Sequence, residues 1–251
     1  MLYFGIPLIS KQACRDWGRV ESLLNGTLGS ILNSTSQNYK ILIACHDVPN
    51  TQYNDSNKIK YLQAEFPPLM RQNRYMLDKI FKLKMVGLEI QKNNNDCFIM
   101  LMDADDLVSN KLLEYIDKGQ DKYGYYIYKG YELDYLTKRL RYCPRYHRLC
   151  GSSIIFRVSK CDLPVSLDQE REDNYFNRMI YVGHRYCEPT SKSLNRPLKK
   201  IPFAAGVYII NNGENHTILT NNIGIRRKIV RGLTPTFCLN NKIRSEFGIN
   251  F

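Results

Sequence analysis

The stretch Cys97–Met102, CFIMLM, decides the fold, because it is an uninterrupted apolar run that leads directly into Asp103-Ala104-Asp105-Asp106. Six consecutive apolar residues predict a strand buried on both faces, as in a parallel sheet covered by helices. Ligands of open α/β sheets bind just beyond the carboxyl ends of the strands. The three aspartates therefore occupy a position where a functional site is expected.

Alternating strand and helix patterns surround this segment. Apolar residues recur at intervals of three and four from Asp16 to Asn33 and from Arg71 to Gln91, which predicts two long amphipathic helices. The chain therefore predicts an α/β fold with a mainly parallel central sheet and helices on both faces. The other predicted elements are strands at Leu2–Ile9, Tyr39–Cys45, Lys58–Gln63, Tyr123–Tyr128, Gly151–Arg157 and Ala205–Ile210, and helices at Ser109–Lys118 and Asp173–Tyr181.

The length of 251 residues predicts a single domain. The regular βα pattern ends near residue 128, and the following segment is rich in Tyr and Arg. We expect a nucleotide-type half, residues 1–128, and a more variable half, residues 129–251, with a smaller sheet or loop region within the same fold.

Positive charge is concentrated in the second half of the chain, whose formal net charge is +12. Residues 1–125 contain 15 Lys and Arg against 14 Asp and Glu, whereas residues 126–251 contain 21 against 10. A basic half favours an anionic partner, such as a phosphorylated ligand, an anionic membrane surface or nucleic acid. The alternative is a basic surface that only favours solubility.

The composition disfavours several other classes of protein. Hydrophobic residues make up 43% and charged residues 24% of the chain, which is typical of globular domains and not of disordered ones. Eight scattered cysteines without a CxxC pair disfavour a zinc ribbon and favour reduced thiols. No run approaches the roughly 20 apolar residues of a membrane-spanning helix, and no leader is recognisable after Met1. We expect a cytoplasmic protein.

The acids that follow CFIMLM favour a divalent cation. Carboxylates in such proximity repel one another in the absence of a cation, and hard divalent ions prefer oxygen ligands and bridge carboxylates to diphosphates. Asp103 and Asp105 are two residues apart on an extended turn, so we expect both to face one site. The alternative is a polar turn in which Asp106 or Ser109 only caps the next helix.

An apolar strand that ends in Asp-x-Asp-Asp resembles the DxD motif of GT-A glycosyltransferases, particularly the family-2-like enzymes of bacterial surface-polysaccharide synthesis. The segments Phe4–Leu8, Ile41–Asp47, Cys150–Ser153 and Gly213–Thr217 resemble the same group. The resemblance extends over nearly the whole chain. It implies a GT-A (Rossmann-like) fold, in which the first half binds a nucleotide sugar and the second half binds the acceptor and supplies catalytic residues.

The resemblance also implies a metal site. In such enzymes the acids of the DxD motif hold Mn²⁺ or Mg²⁺ against the diphosphate of the donor, and that role falls on Asp103 and Asp105. A late histidine often completes the metal shell, and His216 has the matching place here. A turn histidine that bonds only to the backbone is the alternative for His216.

Further donor contacts follow from the same resemblance. The end of the first strand cradles the nucleotide, which assigns Pro7 and Ile9, and the DxD segment adds Asp103 and Ala104. The acid after the second strand bonds the base, which assigns Asp47. This chain has Cys45-His46-Asp47 where the group has Asp-Asp-Gly-Ser, so the base is not determined by the motif.

Basic residues on the second helix add possible diphosphate contacts, namely Arg74, Lys79, Lys82 and Lys84. For Lys82 an exposed helical ion pair with Asp78, four residues earlier, is the alternative.

Inverting transfer needs a general base that deprotonates the acceptor hydroxyl. The pair Glu172-Asp173 at the start of a predicted helix resembles the Glu-Asp pair that supplies this base, so we assign Asp173 as the base and Glu172 as its reserve. The alternative is that both acids only stabilise a helix N-terminus. A retaining reaction would need no such base.

The segment from Tyr123 to Arg148 combines many tyrosines with Arg139, Arg141, Arg145, His147 and Arg148. The tyrosines predict either sheet packing or a platform for an acceptor sugar. The basic side chains are suited to an acceptor phosphate, such as that of a lipid carrier. His184 and Cys187 have the spacing of a metal pair, but two ligands alone are not a site.

The residues and the resemblance together imply a metal-dependent enzyme that transfers a single sugar, by an inverting reaction, from a nucleotide-diphosphate sugar to a glycan or lipid-linked acceptor, with a UDP-sugar favoured. We expect it in the cytoplasm, with possible peripheral contact at the inner face of the membrane, and expect no nucleic-acid partner. The alternatives are a sugar-phosphate nucleotidyltransferase, although residues 10–17 lack the Gly-rich loop of that class, and a basic nucleic-acid-binding protein or nuclease.

Overall fold

The computed structural model describes residues 1–69, 75–93, 95–119, 121–214 and 234–250. The predictions for Arg74 and His216 lie outside these residues. Within them, no helix is long and apolar enough to cross a membrane.

The first part of the chain alternates strands and helices as predicted. The N-cap of the first helix is Asp16, whose side chain accepts a hydrogen bond from the Arg19 backbone amide, so the helix begins at Trp17. The elements are β1 (Leu2–Pro7), α1 (Trp17–Leu32), β2 (Tyr39–Cys45), β3 (Ile59–Gln63), α2 (Tyr75–Gln91) and β4 (Cys97–Leu101).

The strands of this part form the parallel portion of the sheet. β1 lies between β2 and β4, and β3 pairs with the other edge of β2, with all four strands parallel. The register places Pro7 beside Ala44 and Gly5 beside Leu101. The carboxyl ends of β1, β2 and β4 therefore meet at one edge of the sheet, directly before Asp103.

The second part of the chain adds antiparallel strands to the same sheet. It contains β5 (Leu107–Val108), α3 (Leu112–Gly119), β6 (Gly124–Asp134), β7 (Arg139–Pro144), β8 (Ile154–Val158), α4 (Tyr175–Tyr181), α5 (His184–Ser193), β9 (Lys199–Ile210), β10 (Thr236–Cys238) and α6 (Asn241–Phe247). Both β6 and β9 extend well beyond their predicted limits, because Lys129 and Glu132 interrupt the apolar pattern of β6 and Pro202 interrupts that of β9.

Ten strands of the described residues form one sheet, in the order β10-β7-β6-β8-β4-β1-β2-β3, with β9 parallel to β6 and β5 antiparallel to β9. β8 joins β4 in the antiparallel sense and so connects the two parts of the chain. The predicted α/β class is confirmed. The strands of the second half extend the central sheet instead of forming a smaller sheet of their own.

Helices cover both faces of the sheet. Alternate residues of β1 point to opposite faces, so the two sets of side chains pack against different helices. Phe4 and Ile6 pack in the cluster that contains residues of α1 and α3, and Tyr3 packs in the cluster that contains residues of α2 and α4. At Gly5 a Cβ atom would lie 2.9 Å from Val86 Cγ1, so the absence of a side chain lets α2 approach the strand closely.

A short 3₁₀ turn, Tyr146–Arg148, lies over the junction of β6 and β9. The Tyr146 ring is fully buried there. A Cβ atom at Gly130 would lie 2.3 Å from Tyr146 Cδ2, and one at Gly206 would lie 2.7 Å from Cε1. The two glycines therefore form the seat of this ring, and the seat fixes the turn that leads to Cys150 and Ser152.

Candidate functional site

A cleft of about 460 Å³ lies at the edge of the sheet where β1 and β4 end. Its walls include six of the eight residues assigned to the donor and metal sites in the first half, namely Pro7, Ile9, Lys79, Asp103, Ala104 and Asp105, whereas Asp47 and Lys82 do not line it. The parallel register explains this convergence, because it brings the ends of both strands to the same place. The volume lies in the range of small-molecule sites.

Asp103 is the first polar residue after β4. Its backbone N–H donates a hydrogen bond of 2.8 Å to Ser152 Oγ. Its carboxylate forms an ion pair with the Lys79 ammonium, and both side chains are partly exposed in the cleft. The site thus contains a carboxylate and a cation that are in contact with each other and accessible to a ligand.

Asp105 lies beside this pair. The Asn212 side-chain amide donates a hydrogen bond of 2.7 Å to Asp105 Oδ2. Loss of solvation and the negative charge of Asp103 raise the pKa of Asp105 to about 6. A bound cation would stabilise the ionised form of such a carboxylate.

Asp106 has a different, structural role. Only 1% of the residue is exposed. Its Oδ2 atom accepts hydrogen bonds from Ser152 Oγ at 2.5 Å and from Cys150 Sγ at 3.0 Å. Burial raises the pKa of its carboxyl well above the ordinary value. Asp106 therefore fixes the segment that supports Asp103, and it does not line the cleft.

The donor set fits Mn²⁺ or Mg²⁺ with two protein carboxylates. Magnesium is often bound through one or two carboxylates together with substrate phosphates and waters. Asp103 and Asp105 supply such a pair, and burial together with the charge of Asp103 disfavours the ionised form of Asp105 in the absence of a metal. Among the described residues no three His, Cys, Asp or Glu side chains are grouped to hold a metal by themselves.

Two carboxylates hold the loop between β1 and α1. Asp47 accepts a hydrogen bond of 2.8 Å from the Lys11 backbone amide, within the loop. Glu214 accepts hydrogen bonds of 3.3 and 2.9 Å from the backbone amides of Arg15 and Asp16, at its end, and it also lines the cleft. The sequence did not identify Glu214, because it lies 198 residues from its partner Asp16.

Lys82 lies under the cleft and not in it. Its side chain is 1% exposed, and its ammonium donates hydrogen bonds of 2.7 Å to the Leu8 carbonyl oxygen and 2.6 Å to Asp78 Oδ2. The ion pair with Asp78 is present, but it is buried and not solvent-exposed. We therefore correct the assignment of Lys82 from a donor contact to a residue that positions the end of β1.

Asp173 and Glu172 do not line the cleft. Asp173 Oδ2 accepts a hydrogen bond of 2.6 Å from the Glu170 backbone amide, and Glu172 forms an ion pair with Arg178 at 3.2 Å. Both acids precede α4, whereas Met179 and Ile180 in its last turn line a 140 Å³ cavity that adjoins the cleft. The helix thus presents its opposite end to the site.

His184, the first residue of α5, lines both the cleft and the adjoining cavity. Burial lowers the pKa of its imidazole below the ordinary value. Its predicted partner Cys187 is a buried thiol near backbone carbonyl groups of the preceding helical segment. The sequence offered only the spacing of these two residues, which did not place His184 near Asp103.

Comparison of the sequence with protein-family models and with curated proteins gave no match. Among solved structures, residues 1–349 of TarS from S. aureus have a TM-score of 0.45 and 13% identity, with 83% of this chain and 60% of that chain covered. A "putative nucleotide-diphospho-sugar transferase" from Desulfovibrio desulfuricans has a TM-score of 0.34 and 8% identity, with 92% and 93% covered. This chain thus spans about 60% of the TarS fragment. At these TM-scores the likeness carries no argument about function.

Proposed function

We propose that this protein transfers a single sugar from a nucleotide-diphosphate sugar to a glycan or lipid-linked acceptor, with Mn²⁺ or Mg²⁺ held by Asp103 and Asp105. The observation that carries the proposal is the convergence of Asp103, Asp105 and Lys79 in one cleft at the carboxyl edge of the sheet. Paired carboxylates beside a lysine are complementary to a metal diphosphate, because the metal satisfies the acids and the ammonium satisfies phosphate oxygens.

The neighbouring residues support a donor that extends along the end of β1. Pro7 and Ile9 form one wall of the cleft, and Ala104 contributes the wall between the two acids. A bound metal would supply electrostatic stabilisation of the departing diphosphate. Lys79 adds positive charge at the same place, because its ammonium forms an ion pair with the Asp103 carboxylate.

The first expected result is metal-dependent stabilisation by one nucleoside diphosphate. UDP, GDP, CDP, dTDP and ATP are each tested in a thermal-shift assay with and without Mn²⁺. A ligand at about 100 times its dissociation constant adds roughly 2.7 kcal/mol to stability, which for a domain of this size raises Tm by about 5 to 10 °C. We expect such a rise for one diphosphate, UDP first, only when Mn²⁺ is present. No rise with any of the five, even with metal, would contradict the proposed donor site.

The second expected result concerns the general base of an inverting reaction. The position of His184 in the cleft favours it over Asp173, although Asp173 stays a candidate from the sequence. We expect His184→Asn to lower kcat by about 10²-fold or more, because general bases contribute roughly 10²–10⁴-fold. We expect Asp173→Asn, the matched comparison, to remain within about threefold of the original enzyme, a change of less than 1 kcal/mol.

The measurement is initial-rate transfer together with the Kd of the diphosphate for each variant. An intact Kd with a lowered kcat identifies a group that acts in the chemical step. If Asp173→Asn has the large effect and His184→Asn does not, the assignment of His184 is wrong and the original assignment of Asp173 holds.

A further inference from the structure

A patch of positive charge continues from the cleft along the 3₁₀ turn and the start of β9. We call Arg145, Arg148 and Lys200 the basic patch. The Lys200 ammonium lies 3.4 Å from the centroid of the Tyr128 ring, and this ring stacks on His147 with centroids 5.6 Å apart. Arg145 and Arg148 flank His147 in the chain. These contacts bring cations from two separate segments to one surface.

The three cations are exposed and lack carboxylate partners. Among the described residues, no ion pair within 4.0 Å involves Arg145, Arg148 or Lys200. Several other arginines of the second half are paired with acids, namely Arg141 with Glu132, Arg157 with Asp96, Arg178 with Glu172 and Arg196 with Asp162. The basic patch therefore keeps its charge available for a ligand.

The positive charge of the basic patch acts on the buried side chain of His147. His147 is 6% exposed, and its Nδ1 atom has no hydrogen-bond partner. Burial first, and then the positive charges of Arg148, His184, Arg145 and Lys200, lower the pKa of His147 to about 4. Cations that are held so close without compensating acids indicate a surface suited to an anion.

The basic patch adjoins the proposed reaction site. His184 lines the cleft, and it acts on His147 together with Arg148 and Arg145 of the patch. Leu149, the residue after Arg148, lines the cleft as well. The Tyr146 ring, seated on Gly130 and Gly206, fixes the turn that carries both arginines. A ligand on the patch would therefore reach the cleft from the side of His184 and not from the side of β1.

We propose that the acceptor carries a phosphate group and that this group binds to Arg145, Arg148 and Lys200. Arginine guanidinium groups bind phosphate oxygens in a bidentate manner, and lysine adds a point charge. The inference rests on the proposed function, since sugar transfer in the cleft is what makes the phosphate ligand an acceptor. A soluble sugar phosphate and a lipid headgroup both offer this group, and the test separates them.

The test uses the full chain with inorganic phosphate as the probe, in EDTA-containing buffer so that Asp103 and Asp105 hold no metal, and measures binding by ³¹P line broadening. The triple variant Arg145→Gln, Arg148→Gln, Lys200→Gln is compared with a control triple variant that removes three exposed lysines elsewhere, Lys40→Gln, Lys122→Gln and Lys242→Gln. Both variants lose the same charge, so a difference between them reports the location of the cations.

We expect the patch variant to weaken phosphate binding by about tenfold or more, because hydrogen bonds to charged groups are among the stronger ones in proteins. The control variant is expected to remain within about twofold, since exposed charges far from the ligand are screened. Equal losses in both variants, or no phosphate binding by the original protein, would overturn the inference.

Two further arms decide the source of the phosphate. Co-sedimentation with phosphatidylcholine vesicles, with and without phosphatidylglycerol, tests a lipid surface, and a random DNA duplex tests nucleic acid. Phosphate binding that depends on the patch, without patch-dependent binding to DNA, supports the proposal; additional retention by phosphatidylglycerol identifies a lipid-linked acceptor. Stronger patch-dependent binding to DNA than to phosphate would overturn it. The thermal shift with diphosphate and Mn²⁺ is run on both variants, so loss of the donor site is distinguished from loss of the patch.

Discussion

Replacement of Asp105 by asparagine is expected to lower metal-dependent transfer by about 10²- to 10³-fold, because a bound metal contributes several kcal/mol of charge stabilisation and each 1.36 kcal/mol corresponds to a factor of ten. The substitution removes one of the two carboxylates that we assign to the metal. It retains an oxygen at the position that accepts the hydrogen bond from Asn212. We therefore expect the variant to lose the Mn²⁺-dependent rise in Tm with nucleoside diphosphate.

The same substitution is expected to leave the fold at least as stable as before. Loss of solvation and, after it, the negative charge of Asp103 disfavour the ionised form of Asp105, and both raise its pKa. A neutral amide is free of this repulsion. Two measurements are therefore needed. The Tm without metal reports the stability of the fold, and the initial rate of transfer with Mn²⁺ reports the metal site.

The matched control is Asp96→Asn. Asp96 lies just before the opposite end of β4, with an exposed side chain paired to Arg157 at 3.2 Å. An exposed pair of this kind contributes little, about 0 to 1 kcal/mol, so rate and Tm should be nearly unchanged. Full Mn²⁺-dependent activity of Asp105→Asn would refute the metal assignment. A large fall in its Tm would instead attribute the lost activity to the fold.

A large effect on stability is expected from Gly130→Ala. The added Cβ atom would lie 2.3 Å from Tyr146 Cδ2 and 2.6 Å from the carbonyl oxygen of Gly206. Because one of these neighbours is backbone in a paired strand and the other is a fully buried ring, neither is free to shift cheaply. Overpacking of a core costs about 1–3 kcal/mol and occasionally more. We expect the upper end of this range, a fall in Tm of about 6 to 12 °C.

Gly26→Ala is the control for this substitution. Gly26 lies within α1, and the nearest atom to its added Cβ, Leu107 Cδ2, is 3.9 Å away. Alanine in place of glycine stabilises a helix interior by roughly 0.5–1 kcal/mol, so its Tm should rise slightly. A Tm of Gly130→Ala equal to that of the original protein would show that the Tyr146 ring is not seated as described. Thermal unfolding followed by circular dichroism measures both variants.

The residues of the candidate site that were easiest to place from the sequence are those at the carboxyl ends of parallel strands. The strand before Asp103 is apolar throughout, and the ends of neighbouring parallel strands meet at one edge, so the place of the two acids was predictable from pattern and topology. Pro7 and Ile9 were assigned through the resemblance to GT-A enzymes. The side chain of Lys79 also reaches this edge, as its ion pair with Asp103 shows.

Residues that depend on tertiary packing were not predictable in the same way. Lys82 is three residues after Lys79, yet the turn of the helix directs it toward the sheet, where backbone and Asp78 oxygens satisfy its charge. The apolar residues of α2 did not show which side of the helix faces the sheet, because Leu77 is 40% exposed whereas Leu83 and Val86 are buried. His184 reaches the cleft only because α5 follows α4 at this edge, which no local spacing encodes.

The buried contact of Lys82 with the Leu8 carbonyl oxygen has a consequence for the entropy of ligand binding. Ordering a lysine side chain costs up to about 2 kcal/mol, and this cost is met when the chain folds. A buried hydrogen bond thus joins helix α2 to the residue that follows the cleft wall at Pro7. A ligand that enters the cleft meets a wall that is already ordered, so more of its contact energy remains available as affinity.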